Sequence, residues 1–320
     1  MNKIDISIII VNYKSWSHLR SCLNSINNEV KTSLVYEVII VDNDSDDGFM
    51  DSFSKEFSQF QFIINSGNNG FANGCNKGAS KANGEYLLFL NPDTKVVANT
   101  FDALHQFSQE NKEYGIVSCK QLKNDGGLEN EMRFLPKFFT LFGLFRVFCK
   151  NKINKEFSSD LDLVHPEWIS GSLVFINREW FDKVGGWDEN YWMYFEDVQL
   201  SKDVLSAGGK LGLLRTTHII HNHGGASRLN LKTSAITKIE VVISKHVYVV
   251  NNFVGFEKGL SLFLLIMSTF LTKLILAALG VIFFFIPKLK LQIILFVSLS
   301  RYYYSSIIRR SFLSKKSVNY

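Results

Sequence analysis

The chain has 320 residues, of which 46% are hydrophobic and 20% charged, with a net charge of +5 at pH 7. That length admits one large domain or a domain with an appendage. The charge is too mild and too scattered for a nucleic-acid partner, because no basic stripe interleaved with aromatics is present. Cys22, Cys75, Cys119 and Cys149 lie far apart with no CxxC pair, and no N-terminal signal segment is evident. A reduced cytosolic setting is therefore expected, and structural zinc is not.

Ile4 to Val11 is rich in β-branched residues and reads as a buried strand. Asn12, Tyr13, Lys14 and Ser15 follow, and then Trp16, Leu19, Cys22, Leu23 and Ile26 recur at helical spacing. Tyr36 to Val41 is a second buried strand, ending in the acidic turn Asp42 to Gly48. A helix over about 49–57 and a strand at 60–65 complete a second unit, and strands alternating with helices predict a parallel α/β sheet. The first strand is followed by neither GxGxxG nor GK[ST], which excludes the dinucleotide and P-loop fingerprints.

Residues 66–84 are dense in Gly and Asn, with Gly70, Gly74 and Gly78 at every fourth position. In a helix these form one small face, suited to close approach by a ligand or a neighbouring backbone. Asn68 and Asn69 stand before that helix, where side chains or N–H groups can meet phosphates. The run Tyr86 to Leu90 is a fully buried strand that stops at Asn91-Pro92-Asp93-Thr94. Proline cannot extend the ladder, so Asn91 and Asp93 are placed on the loop beyond the strand's carboxyl end, where open α/β sheets bind ligands. A carboxylate there can hold a hard divalent cation that grips a diphosphate; an ordinary turn is the alternative.

A helix near 100–111 and a strand at 115–119 lead into residues 120–163, which show no sustained period. Their apolar piece at 138–148 reads as a mobile acceptor loop or as a segment lying on a membrane. His165 to Ile176 returns to a strand pattern, with Gly171 where backbone must pass closely. Arg178 to Val184 reads as a short helix. Asp188-Glu189 and Glu196-Asp197 then flank the aromatic run Tyr191 to Phe195, in which Trp192 offers a ring for a sugar to stack on. Glu196 and Asp197 open a helix; adjacent helical positions point about 100° apart, so one of the two is expected to face the site. A favourable interaction with the helix dipole is the plainer account of both. A strand at Lys210 to Leu214 precedes His218, His221 and His223, and imidazole is a common metal ligand.

The segments VNYKS, VDNDSDD, NNGFANGCNKG, LNPDT and SGSLVFINREWFDKVGGWDENYWMYFEDVQLS, followed by HNHGGAS, resemble family 2 glycosyltransferases over about residues 4–227. The resemblance is closest to the rhamnosyltransferase-type branch. It implies a GT-A fold whose nucleotide-binding half spans 1–119 and whose acceptor half spans 120–252. By this resemblance Asn12, Tyr13, Asp42, Asn69 and Asn91 face the nucleotide-sugar. Asp93 is the metal carboxylate, with NPD in place of DxD, and His223 joins it on Mg²⁺ or Mn²⁺. Asp197 is the catalytic base, with Gly171, Trp192 and Glu196 on the acceptor side. Trp187 and Gln199 stand where the family usually has Phe and Asp, and the absence of QxxRW argues against a processive synthase. The implied reaction is inverting transfer from a nucleotide-diphospho-sugar, with dTDP-rhamnose suggested by the branch, to a lipid-linked or saccharide acceptor. A hexose or N-acetylhexosamine donor, or a non-catalytic nucleotide-sugar-binding membrane protein, are the competing readings.

Beyond residue 252 the composition changes. A helix over Leu260 to Ile286 would be about 40 Å long against a bilayer core of ~30 Å, but Lys273 interrupts it. Two shorter segments, or one helix lying in the interface, fit better than a single span. Basic residues from Lys288 to Lys316 around Tyr302, Tyr303 and Tyr304 suit an anionic leaflet. Residues 253–320 are thus expected to form a peripheral or monotopic membrane segment at the cytoplasmic face of the inner (plasma) membrane. Packing on the domain, or in a homodimer, is the alternative.

Overall fold

The computed structural model describes residues 3–129, 133–141, 161–222 and 231–320. Its contacts fall into two compact units. The first is drawn from Met1–Leu135, Asn151–Glu189 and Glu196–Gly225, the second from Pro136–Lys150, Asn190–Phe195 and Ala226–Tyr320.

In the first unit the strands are β1 (Ile6–Asn12), β2 (Tyr36–Asp42), β3 (Gln61–Ile64), β4 (Tyr86–Leu90), β5 (Thr94–Val96), β6 (Tyr114–Leu122), β7 (Leu163–Val164), β8 (Leu173–Asn177) and β9 (Lys210–His221). Its helices are α1 (Trp16–Glu29), α2 (Met50–Glu56), α3 (Phe71–Ala79), α4 (Thr100–Glu110), α5 (Arg178–Lys183) and α6 (Glu196–Ser206). Among the described residues the strands form one sheet in the order β3-β2-β1-β4-β8-β6-β9-β5, with β7 on β9. β1 to β4 pair in parallel, as the alternating elements predicted. β8 enters antiparallel between β4 and β6, so the sheet is mixed rather than parallel throughout.

The period-two geometry of strands explains the two cores. Ile6, Ile8, Ile10, Leu88 and Leu90 point to the face covered by Leu19, Leu23 and Phe101. Ile9, Val11, Leu87 and Phe89 point to the other, against Ala72, Cys75, Trp187 and Val204. On that second face, a Cβ added at Gly74 would lie 2.7 Å from Val11 Cγ1, and one at Gly78 would strike Ile9 Cγ2. The small face of α3 therefore serves close helix–sheet packing. Gly70 does not belong to it: it precedes the helix with φ 98°, a backbone form that glycine adopts freely. Cys22, Cys75 and Cys119 are buried free thiols; Cys149 lies outside the described residues.

The second unit contains α7 (Leu231–Asn252), α8 (Gly255–Ile282) and α9 (Pro287–Arg309). α7, with no counterpart in the sequence reading, belongs with the C-terminal helices, so this unit begins well before residue 253. α8 is 28 residues long, its most apolar 18-residue stretch has a mean hydropathy of 2.3, and little of that stretch is buried. It is the one helix among the described residues long and apolar enough to cross a membrane. Lys273 donates through Nζ to Gln292 Oε1 at 2.8 Å, which ties the charge in mid-α8 to α9.

Candidate active site

β1, β2 and β4 each end in a polar residue or turn at the carboxyl edge of the sheet. Asn12 and Asp42 are register partners there, and Asn12 Nδ2 donates to Asp42 Oδ1 at 3.0 Å. Asp42 also accepts from Ser45 Oγ at 2.6 Å and Ser45 N at 3.0 Å. Both residues are buried, so their first structural effect is to shape the two loops, while Tyr13 stands 45% exposed beyond them. Asn69 donates its N–H to Gly67 O and sits, half-buried, directly before Gly70 and α3.

A chain of amide side chains extends from this edge. Asn43 Nδ2 donates to Asn68 Oδ1 and Gly70 O, and Asn65 Nδ2 donates to Asn43 Oδ1 at 2.8 Å and Asn73 Oδ1 at 2.7 Å. Asn73 and Asn76 in turn donate to the two oxygens of Glu189, each at 2.8 Å. The local composition suggested phosphate contacts; the structure adds a polar brace joining three loops.

Beyond β4, Asn91 N–H donates to Ser172 O, and Asn91 O accepts from Thr94 N and Thr94 Oγ1. This closes the turn that presents Asp93. β9 runs to His221, well past the expected end at Leu214, and pairs with β5. Its end places His221 Nε2 3.5 Å from Asp93 Oδ1, while Asn222 N–H donates to Asp93 O. His221 Nδ1 faces Gln121 Oε1 at 3.1 Å and Glu129 Oε2 at 3.5 Å. Burial works to lower the His221 pKa, but Asp93 and Glu129 outweigh it and raise it. Sequence reading favoured His223 over His221; His223 lies outside the described residues, and Gln121 and Glu129 were missed altogether.

Asp93 and His221 bring one hard oxygen donor and one imidazole together. No group of three or more His, Cys, Asp or Glu donors suited to a metal exists among the described residues. This set fits a divalent cation that takes its remaining ligands from substrate phosphates and water, as Mg²⁺ commonly does.

Asp197 lies in the first turn of α6. Its Oδ2 accepts the Gly171 N–H at 3.0 Å and its Oδ1 accepts the Val198 N–H at 2.9 Å. The space at Gly171 is narrow: an added Cβ would sit 3.3 Å from Phe71 Cε1 and 3.6 Å from Asp197 Cβ. Burial raises the Asp197 pKa, opposed by the Gly171 N–H, the Arg133 guanidinium and the Val198 N–H. Glu196 is buried, and desolvation followed by the charge of Asp197 pushes its carboxyl well above the usual range. Glu196 Oε2 has no hydrogen-bond partner among the described residues. The two carboxyls are thus unequal: burial weighs most heavily on Glu196, while hydrogen bonds and the Arg133 charge favour the ionised form of Asp197. Arg133, whose guanidinium lies 5.0 Å from the Trp168 ring, went unnoticed in the sequence.

Trp192 belongs to the second unit. It is 5% exposed with Lys316 Nζ 3.9 Å from its ring centroid, so its face is not the open stacking surface expected. Immediately before Glu196, Tyr194 and Phe195 have φ of 70° and 68°. Left-handed backbone costs a non-glycine residue about 1–2 kcal/mol.

The family model described as "Glycosyl transferase family 2" matches residues 7–185. The low-salt glycan biosynthesis hexosyltransferase Agl10 of Haloferax volcanii is 27% identical over 68% of this chain and 67% of its own length. Rhamnosyltransferase WbbL of Escherichia coli K12 is 26% identical over 67% of this chain and 82% of its own. An N-acetylglucosaminyl-diphospho-decaprenol L-rhamnosyltransferase of Mycobacterium tuberculosis is 22% identical over 67% and 75%. Among solved structures, GalNAc-T7 with UDP, GalNAc and Mn²⁺ aligns with a TM-score of 0.55 at 17% identity, covering 78% of this chain and half of that one. S. aureus TarS residues 1–349 align at 0.51 and 15% identity, covering 81% and 69%. At such identities the likeness shows the fold alone, a GT-A-like α/β arrangement. With a family model matched over more than half of its length, the chain belongs to glycosyl transferase family 2 and is a glycosyltransferase.

Proposed function

We propose that the chain transfers a sugar, with inversion, from a nucleotide-diphospho-sugar to a saccharide or lipid-linked acceptor in cell-surface glycan assembly. The observation that carries this reading is the unequal pair at the start of α6, in which Asp197 is anchored by Gly171 and faces Arg133's field. In this mechanism Asp197 takes the proton of the acceptor hydroxyl as that oxygen bonds to the anomeric carbon. The bond from that carbon to the diphosphate breaks, and the diphosphate leaves with its electron pair. A positioned base contributes about 10²–10⁴-fold in rate. Asn12, Tyr13, Asp42, Asn69 and Asn91 border the nucleotide-sugar, and Asp93 with His221 would hold Mg²⁺ or Mn²⁺. When bound, that cation neutralises charge developing on the diphosphate.

The donor reading is rhamnose, from dTDP-rhamnose, supported by two relatives named as rhamnosyltransferases. A hexose donor is the second reading, favoured by the relative named a hexosyltransferase. A lipid-linked acceptor agrees with the exposed apolar face of α8 and the adjoining Phe284 and Phe285, which are 70% and 69% exposed. We place α8 and α9 in the cytoplasmic leaflet of the inner membrane as a monotopic anchor.

A panel of dTDP-rhamnose, UDP-glucose and UDP-N-acetylglucosamine, scored for hydrolysis and thermal shift with Mn²⁺ or EDTA, tests the reading. One donor should stabilise the protein more with Mn²⁺, and Asp93→Ala should abolish that difference while leaving the shift in EDTA. Equal losses in both conditions would make Asp93 structural, and no response to any donor would refute the donor class.

A further inference from the structure

His221 is the last residue of β9, and its ring is buried between two sets of oxygen atoms, all from the first unit. On one side Asp93 Oδ1 lies 3.5 Å from Nε2. On the other, Gln121 Oε1 and Glu129 Oε2 lie 3.1 Å and 3.5 Å from Nδ1. Both residues on the Nδ1 side come from a single turn. β6 ends at Leu122, a bridge from Leu122 to Leu128 brings the chain back, and Glu129 N–H donates to Gln121 O at 2.9 Å. The turn itself is built from Asp125, whose Oδ1 accepts the Gly127 N–H, and Gly126, with φ 78°.

Gln121 is 3% exposed, and the two ends of its amide are placed differently. Oε1 also accepts from Ser172 Oγ at 2.9 Å. The carbonyl of Ser172 accepts the Asn91 N–H, so the amide is tied to the turn that carries Asp93. Nε2, in contrast, is buried with no hydrogen-bond partner among the described residues. An unpaired buried N–H is destabilising, which a purely structural glutamine would avoid. Its oxygen is the end in use. An amide oxygen only accepts, so the ring nitrogen facing it carries the hydrogen. The reverse arrangement, amide nitrogen toward the ring, would turn the Nδ1 lone pair toward the Glu129 carboxylate. Asp93 and Glu129 stand at the same 3.5 Å from opposite ring nitrogens and oppose each other, and Gln121 breaks the tie.

We infer that Gln121, with Glu129, is a positioning residue that fixes the His221 hydrogen on Nδ1 and leaves the Nε2 lone pair facing Asp93 for a divalent cation. The inference rests on the reading of Asp93 and His221 as the residues that hold that cation. In the other tautomer Nε2 would donate its hydrogen to Asp93, and the two ligand atoms would be occupied by each other. Metal-binding imidazoles generally donate their second N–H to an acceptor of this kind, and losing it weakens metal binding about 10–100-fold.

The test uses the full chain in detergent, with isotope-labelled histidine and the His221 ring signals assigned by their loss in His221→Ala. In EDTA at alkaline pH, the wild type should carry its ring hydrogen on Nδ1. A hydrogen on Nε2 overturns the inference, and this measurement needs no variant of Gln121. Gln121→Met, which changes no charge, should mix the two tautomers, and adding Glu129→Met should move the hydrogen to Nε2. Free Mn²⁺, read by electron paramagnetic resonance with no donor present, should show binding about tenfold weaker in Gln121→Met. An unchanged tautomer in either variant overturns the inference. So does Mn²⁺ affinity within twofold of wild type in Gln121→Met, or a loss of affinity with the tautomer intact. His221→Ala separates the two ideas: wild-type Mn²⁺ affinity there refutes the cation reading, while the ring signals still decide whether Gln121 orients the imidazole.

Discussion

Asp197→Asn is expected to remove catalysis while making the fold less sensitive to rising pH. As the proposed base, Asp197 would supply about 10²–10⁴-fold, equal to roughly 3–5 kcal/mol of transition-state stabilisation, and an amide cannot take the proton. Stability moves the other way. The folded pKa of Asp197 is raised above its unfolded 3.8 by burial, so the folded state disfavours the ionised form. The resulting penalty is absent below the unfolded pKa and grows as pH rises through the folded one. Replacement by Asn also costs one of the hydrogen bonds from Gly171 and Val198, a loss of about 1 kcal/mol that does not vary with pH. Only the slope therefore reports the charge. Thermal unfolding of both proteins from pH 3.5 to 8 should show the melting temperature of the variant gaining on that of the wild type as pH increases, with turnover down at least a hundredfold at every pH. Parallel stability curves would refute the buried-charge reasoning, and retained turnover in a folded variant would remove Asp197 from the mechanism.

Gly74→Ala should destabilise the protein by about 1 kcal/mol despite the gain in helix propensity, because its Cβ meets the stiff Val11 side chain. Gly259→Ala in α8, with nothing within 4 Å, should be neutral or stabilising; thermal melts of the pair check this. His246, whose pKa burial lowers from 6.5 to about 4, should make the second unit lose roughly 3 kcal/mol as pH falls from 6.5 to 4, because the unfolded chain accepts a proton that the folded one refuses. His246→Asn should flatten that part of the stability profile, and an unchanged slope would locate the acid sensitivity elsewhere.

Much of the first unit could be read from residue order. The runs at Ile6–Val11, Tyr36–Val41 and Tyr86–Leu90 are largely apolar on both faces, and each ends in polar residues at the carboxyl edge of the sheet. The direction of β8 was not readable, because Leu173–Asn177 has the same alternation whichever way it runs. β9 was cut short because Arg215, Thr216 and Thr217 break its apolar pattern, while a register shift between Cys119 and Lys120 lets it continue to His221. The cluster of His221 with Gln121 and Glu129 is assembled by that pairing, about a hundred residues apart in sequence, so no local motif announces it. α7 carries Thr, Ser and Lys among its apolar residues and lacks a clear stripe. Trp192 shows the limit of composition: an aromatic run looked like a sugar platform, and a lysine 124 positions later lies over its ring.

The pairing of β5 with β9 also dictates an order of assembly. Thr94 finds its partner His221, 127 positions further on, only when all the chain between them has been made, a contact of high sequence separation whose loop-closure entropy must be met before it stabilises anything. Until then the turn bearing Asp93 has its short strand unpaired and its imidazole neighbour missing. On the ribosome the amino-terminal strands β1 to β4 can associate early, whereas the Asp93 corner closes last. The apolar α8 begins 34 positions after His221. Synthesis thus finishes the sheet shortly before it delivers the longest apolar helix among the described residues.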